Sequence, residues 1–143
     1  MRNGFGAIDP EKCRVVAVHD GARPLVSIEE IAATIEKARE KGAACLVAKV
    51  TDTIKEVRGG KLFGTIDREN LRRALTPQAF RFEILQAAFA PENFDATATD
   101  ECFLVEKLDC EIAFVDGSAM NIKITTREDL AFAEILLETD KNV

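Results

Sequence analysis

Two short apolar runs, separated by a helix with a strong start signal, constrain the fold of this chain more than any other feature. Residues 14–18, RVVAV, are typical of a buried strand, and residues 44–50, ACLVAKV, are typical of a second one. Between them, Ser27 and Glu30 have the spacing of a capping box, which predicts a helix over 28–41. The order strand, helix, strand predicts a right-handed parallel βαβ crossover.

The rest of the chain predicts a hairpin, three helices and further extended segments. TIKEV and KLFGTI flank Arg58-Gly59-Gly60, which is a hairpin signal, so residues 51–70 are expected to form a protruding arm. The other predicted elements are helices at 82–89, at 101–108 after a Thr99 or Asp100 cap and at 127–138 after a Thr125 or Thr126 cap, a strand at 111–117 and an extended piece at 121–125. We therefore predict a single α/β domain over residues 1–143 with one open, mostly parallel sheet.

The composition limits the class of ligand. A net charge of −6 over 143 residues disfavours general binding to nucleic acid or to an anionic membrane, although basic side chains can still dominate one cleft. No apolar run approaches the roughly 18 residues of a membrane span. The four cysteines form no CxxC pair and the chain has one histidine, so we expect reduced, buried thiols in a cytoplasmic protein and no zinc site.

Polar residues follow three of the predicted strands, and ligands of open α/β sheets bind beyond the carboxyl ends of strands. Asp20 suits Mg²⁺ and Arg23 suits a phosphate or carboxylate, although a turn cap and a surface arginine explain the pair equally well. Lys123 points either to solvent or to an anion. Arg68, taken alone, is typical of a solvated arginine, and His19 is either a general base or a structural residue.

Five motifs occur in order along the chain: VHDGARPLVS, VTDTIK, TIDRENLRRALTPQAF, ATDE and NIKITTREDLAFAE. On these motifs the chain resembles the C-terminal part of the 2-C-methyl-D-erythritol 4-phosphate cytidylyltransferase family. The resemblance implies a Rossmann-like nucleotidyltransferase fold, a homodimer formed through the arm, and Mg²⁺ as cofactor. It also implies the reaction of CTP with 2-C-methyl-D-erythritol 4-phosphate, which gives 4-diphosphocytidyl-2-C-methyl-D-erythritol and pyrophosphate for isoprenoid precursor synthesis.

The resemblance also implies roles for particular residues. Arg68 of the arm and Lys123 are expected to position the sugar phosphate as catalytic residues. The expected substrate-binding residues are Asp20, Gly21, Arg23, Thr53, Thr99 and Asn121, and Asp20 is also the expected metal ligand. Because the attacking phosphate oxygen is already anionic, this chemistry needs alignment and charge neutralisation rather than a strong general base.

The chain departs from the family pattern in two ways. The family begins with a strand and a Gly-rich loop that carries an Arg and a Lys for the triphosphate, and this sequence has no such loop. We therefore expect a sheet that lacks its N-terminal strands and an isolated chain that is inactive. Cys102 and Phe103 also stand where the family usually has small residues. Two alternatives remain open: a sister enzyme acting on ribitol 5-phosphate, and a non-catalytic dimerisation or binding module.

Overall fold

A computed structural model describes residues 2–93, 95 and 97–140. Its strands are β1 (Val15–Val18), β2 (Ala43–Lys49), β3 (Ile54–Arg58), β4 (Lys61–Ile66), β5 (Arg72–Arg81) and β6 (Ala113–Asp116). Its α-helices are α1 (Arg2–Phe5), α2 (Ile28–Lys41), α3 (Phe82–Ala88), α4 (Glu101–Glu106) and α5 (Arg127–Asp140), and a 3₁₀ turn covers Arg68–Asn70. No helix in this described part of the chain is long and apolar enough to cross a bilayer.

The larger sheet is mixed and has the strand order β1-β5-β2-β6. β5 pairs antiparallel with both β1 and β2, whereas β2 pairs parallel with β6. Strands β1, β2 and β6 therefore point one way and β5 points the other. The α/β fold class is confirmed. The predicted parallel βαβ unit is also confirmed, because β1 and β2 run parallel in one sheet and α2 connects them. Between the two strands lies β5, which the sequence pattern did not predict.

Buried side chains pack on both faces of the larger sheet, and β2 contributes residues to the clusters on both faces. Successive side chains of a strand point to opposite faces. Ala43, Cys45 and Val47 accordingly belong to the cluster that contains α3 and α4 residues, whereas Ala44 packs with Ala38 of α2 on the other face. A strand buried on both faces reads as a continuous apolar run, which is why β2 was predicted correctly.

Helix α2 forms where the sequence predicts it because both of its ends are capped. The Ser27 hydroxyl accepts the Glu30 N–H at 3.1 Å, and the Ser27 N–H donates to Glu30 Oε2 at 3.0 Å. At the other end Gly42 has a φ of 101°, and its N–H donates to Ala38 O at 2.8 Å. The Arg81 guanidinium adds hydrogen bonds to Arg39 O, so β5 and the end of α2 are tied together.

The arm is the predicted hairpin, formed by β3 and β4. Gly59 and Gly60 turn it with φ values of 55° and 75°, a conformation that glycine adopts without strain. Every residue of β4 is exposed, and Leu62 and Phe63 keep 72% and 61% of their surface accessible. The arm therefore presents apolar side chains that the described part of this chain does not cover.

The remaining predicted elements lie close to their predicted bounds. Asp100, rather than Thr99, caps α4, because its Oδ1 accepts the Phe103 N–H at 2.9 Å. Thr126 caps α5 through the Asp129 N–H at 3.2 Å. Residues 121–125 belong to neither sheet. All four cysteines are free thiols, but the burial predicted for all four holds for two only: Cys45 and Cys102 are buried, and Cys13 and Cys110 are partly exposed.

Candidate functional site

A polar cleft of about 1170 Å³ lies beyond the carboxyl end of β1. The end of β1 and the following turn form one wall, and the middle of β5 forms the floor. The loop before α4 and the start of that helix form the opposite wall. Polar residues that line it are Asn3, His19, Asp20, Arg23, Thr76, Gln78, Asp95, Thr99, Asp100, Glu101 and Lys123. The cleft lies where ligands of open α/β sheets are found.

Two cationic side chains, Arg23 and Lys123, form ion pairs with the Asp20 carboxylate in the lining of this cleft. Arg23 Nε and Lys123 Nζ each lie 3.1 Å from Asp20 Oδ2. Arg23 is held from a second side, since its Nη1 donates to Asn121 O at 2.9 Å. Partial burial acts to raise the pKa of Asp20, but the hydrogen bonds from Lys123 and Arg23 outweigh it and hold that pKa below its ordinary value. Asp20 is therefore ionised at neutral pH. The cluster of Asp20, Arg23 and Lys123 carries one formal positive charge, whereas Asp95, Asp100 and Glu101 add acidic groups to the rest of the cleft lining.

Thr76 of β5 connects the two loops that carry these charges. Its hydroxyl accepts the Asp20 N–H at 3.0 Å and lies 2.9 Å from His19 Nδ1. Its carbonyl accepts a hydrogen bond from Asn121 Nδ2 at 3.0 Å, which fixes the loop before Lys123. Sequence reasoning gave Thr76 no role. The signal available was the pair of polar residues Thr76 and Gln78 inside the otherwise apolar stretch 74–80.

Gln78 fixes the opposite wall in a similar way. Its side chain is only 1% exposed, and its Nε2 donates to Asp100 Oδ2 at 2.9 Å. Its Oε1 accepts the Cys102 N–H at 3.0 Å. Both ends of this buried amide are thus used to hold the start of α4 against the sheet, and with it the loop that carries Thr99.

Glu101, at the start of α4, is another acidic residue that lines the cleft. Its pKa is shifted in the opposite direction from that of Asp20. Desolvation by burial raises the pKa of Glu101, and the negative charges of Asp100 and Asp20 raise it further. The ionised form of Glu101 is therefore disfavoured in the fold.

Five of the eight predicted site residues line the cleft together: Asp20, Gly21, Arg23, Thr99 and Lys123. The other three lie elsewhere. Asn121 is 1% exposed and acts on the cleft through Thr76 and Arg23. Thr53 and Arg68 lie exposed at the base of the arm, where Arg68 Nη1 donates to Thr51 O. The roles assigned to all eight residues remain predictions.

The residues of the cleft do not by themselves form a metal site. Within the described residues, no three His, Cys, Asp or Glu side chains are grouped so that they could hold a metal ion. Asp20, the predicted ligand, already has two cations at 3.1 Å, which oppose a further positive charge. Mg²⁺ is usually held by one or two carboxylates together with substrate phosphates. The magnesium ion on Asp20 therefore stays a prediction.

An open α/β sheet with a polar cleft at its strand ends is typical of proteins that bind small-molecule ligands. Comparison with known proteins narrows this class. A sequence profile of the 2-C-methyl-D-erythritol 4-phosphate cytidylyltransferases matches residues 1–139. The chain belongs to this family of nucleotidyltransferases, as its motifs predicted.

Individual relatives agree with this assignment. The chain is 46% identical over 131 residues to the 2-C-methyl-D-erythritol 4-phosphate cytidylyltransferase of Bacillus licheniformis, covering 91% of this chain and 57% of the relative. It is 45% identical over 139 residues to the same-named protein of Bacillus velezensis, covering 96% of this chain and 59% of the relative. The chain thus spans less than two thirds of the length of these relatives.

Solved structures also match the fold. The crystal structure of 2-C-methyl-D-erythritol 4-phosphate cytidylyltransferase from Thermus thermophilus superposes with a TM-score of 0.83 at 35% identity, over 94% of this chain and 66% of that one. The 4-diphosphocytidyl-2C-methyl-D-erythritol synthase from Anaerococcus prevotii superposes with a TM-score of 0.86 at 33% identity, over 96% and 64%. The Rossmann-like nucleotidyltransferase fold predicted from the motifs is therefore confirmed.

Proposed function

We propose that this chain forms the sugar-phosphate side of an enzyme that joins CTP and 2-C-methyl-D-erythritol 4-phosphate to give 4-diphosphocytidyl-2-C-methyl-D-erythritol and pyrophosphate. The observation that carries the proposal is the meeting of Arg23 and Lys123 at Asp20, in a cleft large enough for a small phosphorylated ligand. The names of the relatives and of the solved structures supply the substrate and the product.

The chemistry of these side chains suits a sugar phosphate. Arg23 presents a fork of N–H donors and Lys123 a compact charge, and both form charge-assisted hydrogen bonds with phosphate oxygens. Ionised Asp20 only accepts hydrogen bonds, so it suits the hydroxyl groups of the sugar. The attacking phosphate oxygen needs no base. Arg23 and Lys123 would orient this oxygen and partly neutralise the charge of the sugar phosphate as it approaches the triphosphate of CTP.

The proposed enzyme needs more than this cleft. The sequence contains no Gly-rich loop to cradle a triphosphate, so we expect the isolated chain to bind the sugar phosphate without turning it over. We expect Mg²⁺ to reach the cleft with the phosphates of CTP. Incubation of the purified chain with CTP, the sugar phosphate and Mg²⁺ should release no pyrophosphate, and steady release would refute this part of the proposal.

A homodimer formed through the arm is part of the proposal. Val57, Leu62 and Phe63 leave most of their surface exposed on the arm, and a second copy of the chain would cover them. Arg68, which lies outside the cleft of its own chain, would then act on the partner's sugar phosphate. Sedimentation should give a dimer that Phe63→Asp dissociates; a wild-type monomer would contradict this arrangement.

Calorimetric titration with 2-C-methyl-D-erythritol 4-phosphate tests the cleft. Lys123→Ala removes one charged hydrogen bond, which is worth about 10- to 100-fold in Kd. Lys12→Ala, at an exposed lysine paired with Asp9, is the matched control and should bind like wild type. Equal affinity of Lys123→Ala and wild type would contradict the proposal. Tighter binding of ribitol 5-phosphate would favour the sister enzyme, and a dimer that binds neither compound would favour the dimerisation module.

A further inference from the structure

His19, the single histidine of the chain, closes a ring of hydrogen bonds around the turn that carries the charged pair. Its Nε2 lies 3.1 Å from Arg23 O, and its Nδ1 lies 2.9 Å from the Thr76 hydroxyl. The same hydroxyl is 3.0 Å from the Asp20 backbone nitrogen. The imidazole thus spans the turn from its first residue to Arg23 and joins it to β5.

The partners determine where the hydrogens lie. A backbone carbonyl only accepts, so His19 Nε2 must carry the hydrogen that it donates to Arg23 O. In the neutral ring Nδ1 is then an acceptor, and the Thr76 hydroxyl must donate to it. That leaves the hydroxyl lone pairs to accept the Asp20 N–H. The opposite tautomer would place the Nε2 lone pair against a carbonyl oxygen.

We propose that His19 is a positioning residue of the sugar-phosphate site, fixed by Thr76 as its Nε2–H tautomer. It holds Asp20 and Arg23 in the geometry in which they face a ligand, although it need not touch the reacting atoms. Thr76 also fixes the loop that precedes Lys123, because its carbonyl accepts a hydrogen bond from Asn121 Nδ2. The carbonyl of Asn121 in turn accepts a hydrogen bond from Arg23 Nη1. The effect on binding rests on the proposed function, whereas the tautomer does not.

The tautomer can be measured directly, because one imidazole gives one set of ring signals. Two-bond ¹H–¹⁵N spectra of the full chain are recorded at mildly alkaline pH, where an ordinary histidine is neutral. We expect a pyrrole-type Nε2 and a pyridine-type Nδ1. Thr76→Val, which removes the hydroxyl at nearly constant shape, should give averaged tautomers, and Thr76→Ser should restore the wild-type spectrum. The reverse tautomer, or a Thr76→Val spectrum identical to wild type, would overturn the proposal.

Binding of 2-C-methyl-D-erythritol 4-phosphate then tests the consequence for the site. Each neutral hydrogen bond that organises the site is worth up to about fivefold in Kd. Because the glutamine amide can donate where Nε2 does, His19→Gln should lose up to about fivefold in affinity and His19→Ala up to about 25-fold. Both variants should keep the far-ultraviolet circular dichroism of wild type. The control is again Lys12→Ala, at an exposed lysine outside both the cleft and the arm, which should bind like wild type. Equal affinity of His19→Ala and wild type would overturn the positioning role.

The two proposals fail in different ways. If the wild-type chain does not bind the sugar phosphate, the proposed function fails, while the ring spectra of wild type and Thr76→Val still decide whether Thr76 fixes the tautomer. If Thr76→Val does not fold, the spectra of wild type and Thr76→Ser decide which tautomer His19 adopts. The affinities of the His19 variants then decide whether His19 positions the site.

Discussion

Replacing Gln78 by leucine tests the buried amide that holds α4 against the sheet. Leucine has nearly the same volume but neither donates nor accepts. It leaves the Cys102 N–H without its acceptor, which costs about 1–3 kcal/mol for a buried group, and it removes the hydrogen bond to the Asp100 carboxylate, worth about 1.5–3 kcal/mol. The added apolar burial offsets about 1 kcal/mol of this loss. We expect the free energy of unfolding to fall by about 1.5–5 kcal/mol.

The chain has no tryptophan or tyrosine, so unfolding in urea is best followed by far-ultraviolet circular dichroism. With an m-value of about 2 kcal/mol/M, the expected loss lowers the midpoint by about 0.8–2.5 M. Gln86→Leu changes an exposed glutamine of α3 in the same way, and its free energy of unfolding should lie within about 0.5 kcal/mol of wild type. If Gln78→Leu behaved like Gln86→Leu, the amide would not hold the start of α4.

Gln78→Glu distinguishes a lost hydrogen bond from general disturbance of the core. The new carboxylate would face Asp100 Oδ2 across the present 2.9 Å contact, so two like charges would meet in a buried place. This variant should be less stable than Gln78→Leu at neutral pH. It should regain stability as the pH falls and one of the two carboxyl groups is protonated. Stability of this variant that did not rise on acidification would refute the proximity of the two groups.

Two further predictions follow from Gly117 and Glu101. A Cβ on Gly117 would lie 2.8 Å from Leu46 Cδ1 and 2.9 Å from Glu30 Oε1, so Gly117→Ala should cost about 1–3 kcal/mol of unfolding free energy in urea. Gly64→Ala, where a Cβ meets nothing within 4 Å, is its control, and an equal loss in both would contradict the steric argument. Because the pKa of Glu101 is raised, its ionised form opposes folding, and Glu101→Gln should raise the Tm at neutral pH. This gain should vanish as the pH falls through the folded-state pKa to the ordinary value of 4.5, and a gain that persisted in acid would refute it.

The elements that could be predicted from the sequence are those with local signals. Ser27 and Glu30 predict the start of α2 because the capping box involves only neighbouring residues. Gly59 and Gly60 predict the hairpin because the turn needs two positive φ values. The cleft residues were expected together because strand ends of the same direction share an edge, and Asp20 and Lys123 do meet there.

Strand β5 could not be predicted in the same way. Pro77 within it is normally an argument against a central strand, and Gln78 interrupts the apolar pattern. The structure resolves the second conflict, because Asp100 and the Cys102 N–H satisfy the amide from a segment more than twenty positions away. The insertion of β5 between β1 and β2 depends on such long-range contacts. The roles of Thr76 and Gln78 in the site were missed for the same reason.

The central position of β5 also sets an order in which the chain can fold during synthesis. Val15 and Val18 of β1 pair with Arg81 and Gln78, so the β5-facing edge of β1 cannot be paired until β5 has been made. At roughly 5–20 residues per second, the ribosome needs about 3–13 s for the intervening chain. Helix α2, with both caps close by in sequence, can form during that interval. The edge of β1 that later pairs with β5 therefore stays unpaired for seconds in the nascent chain, and an unpaired strand edge is a site where another chain can add.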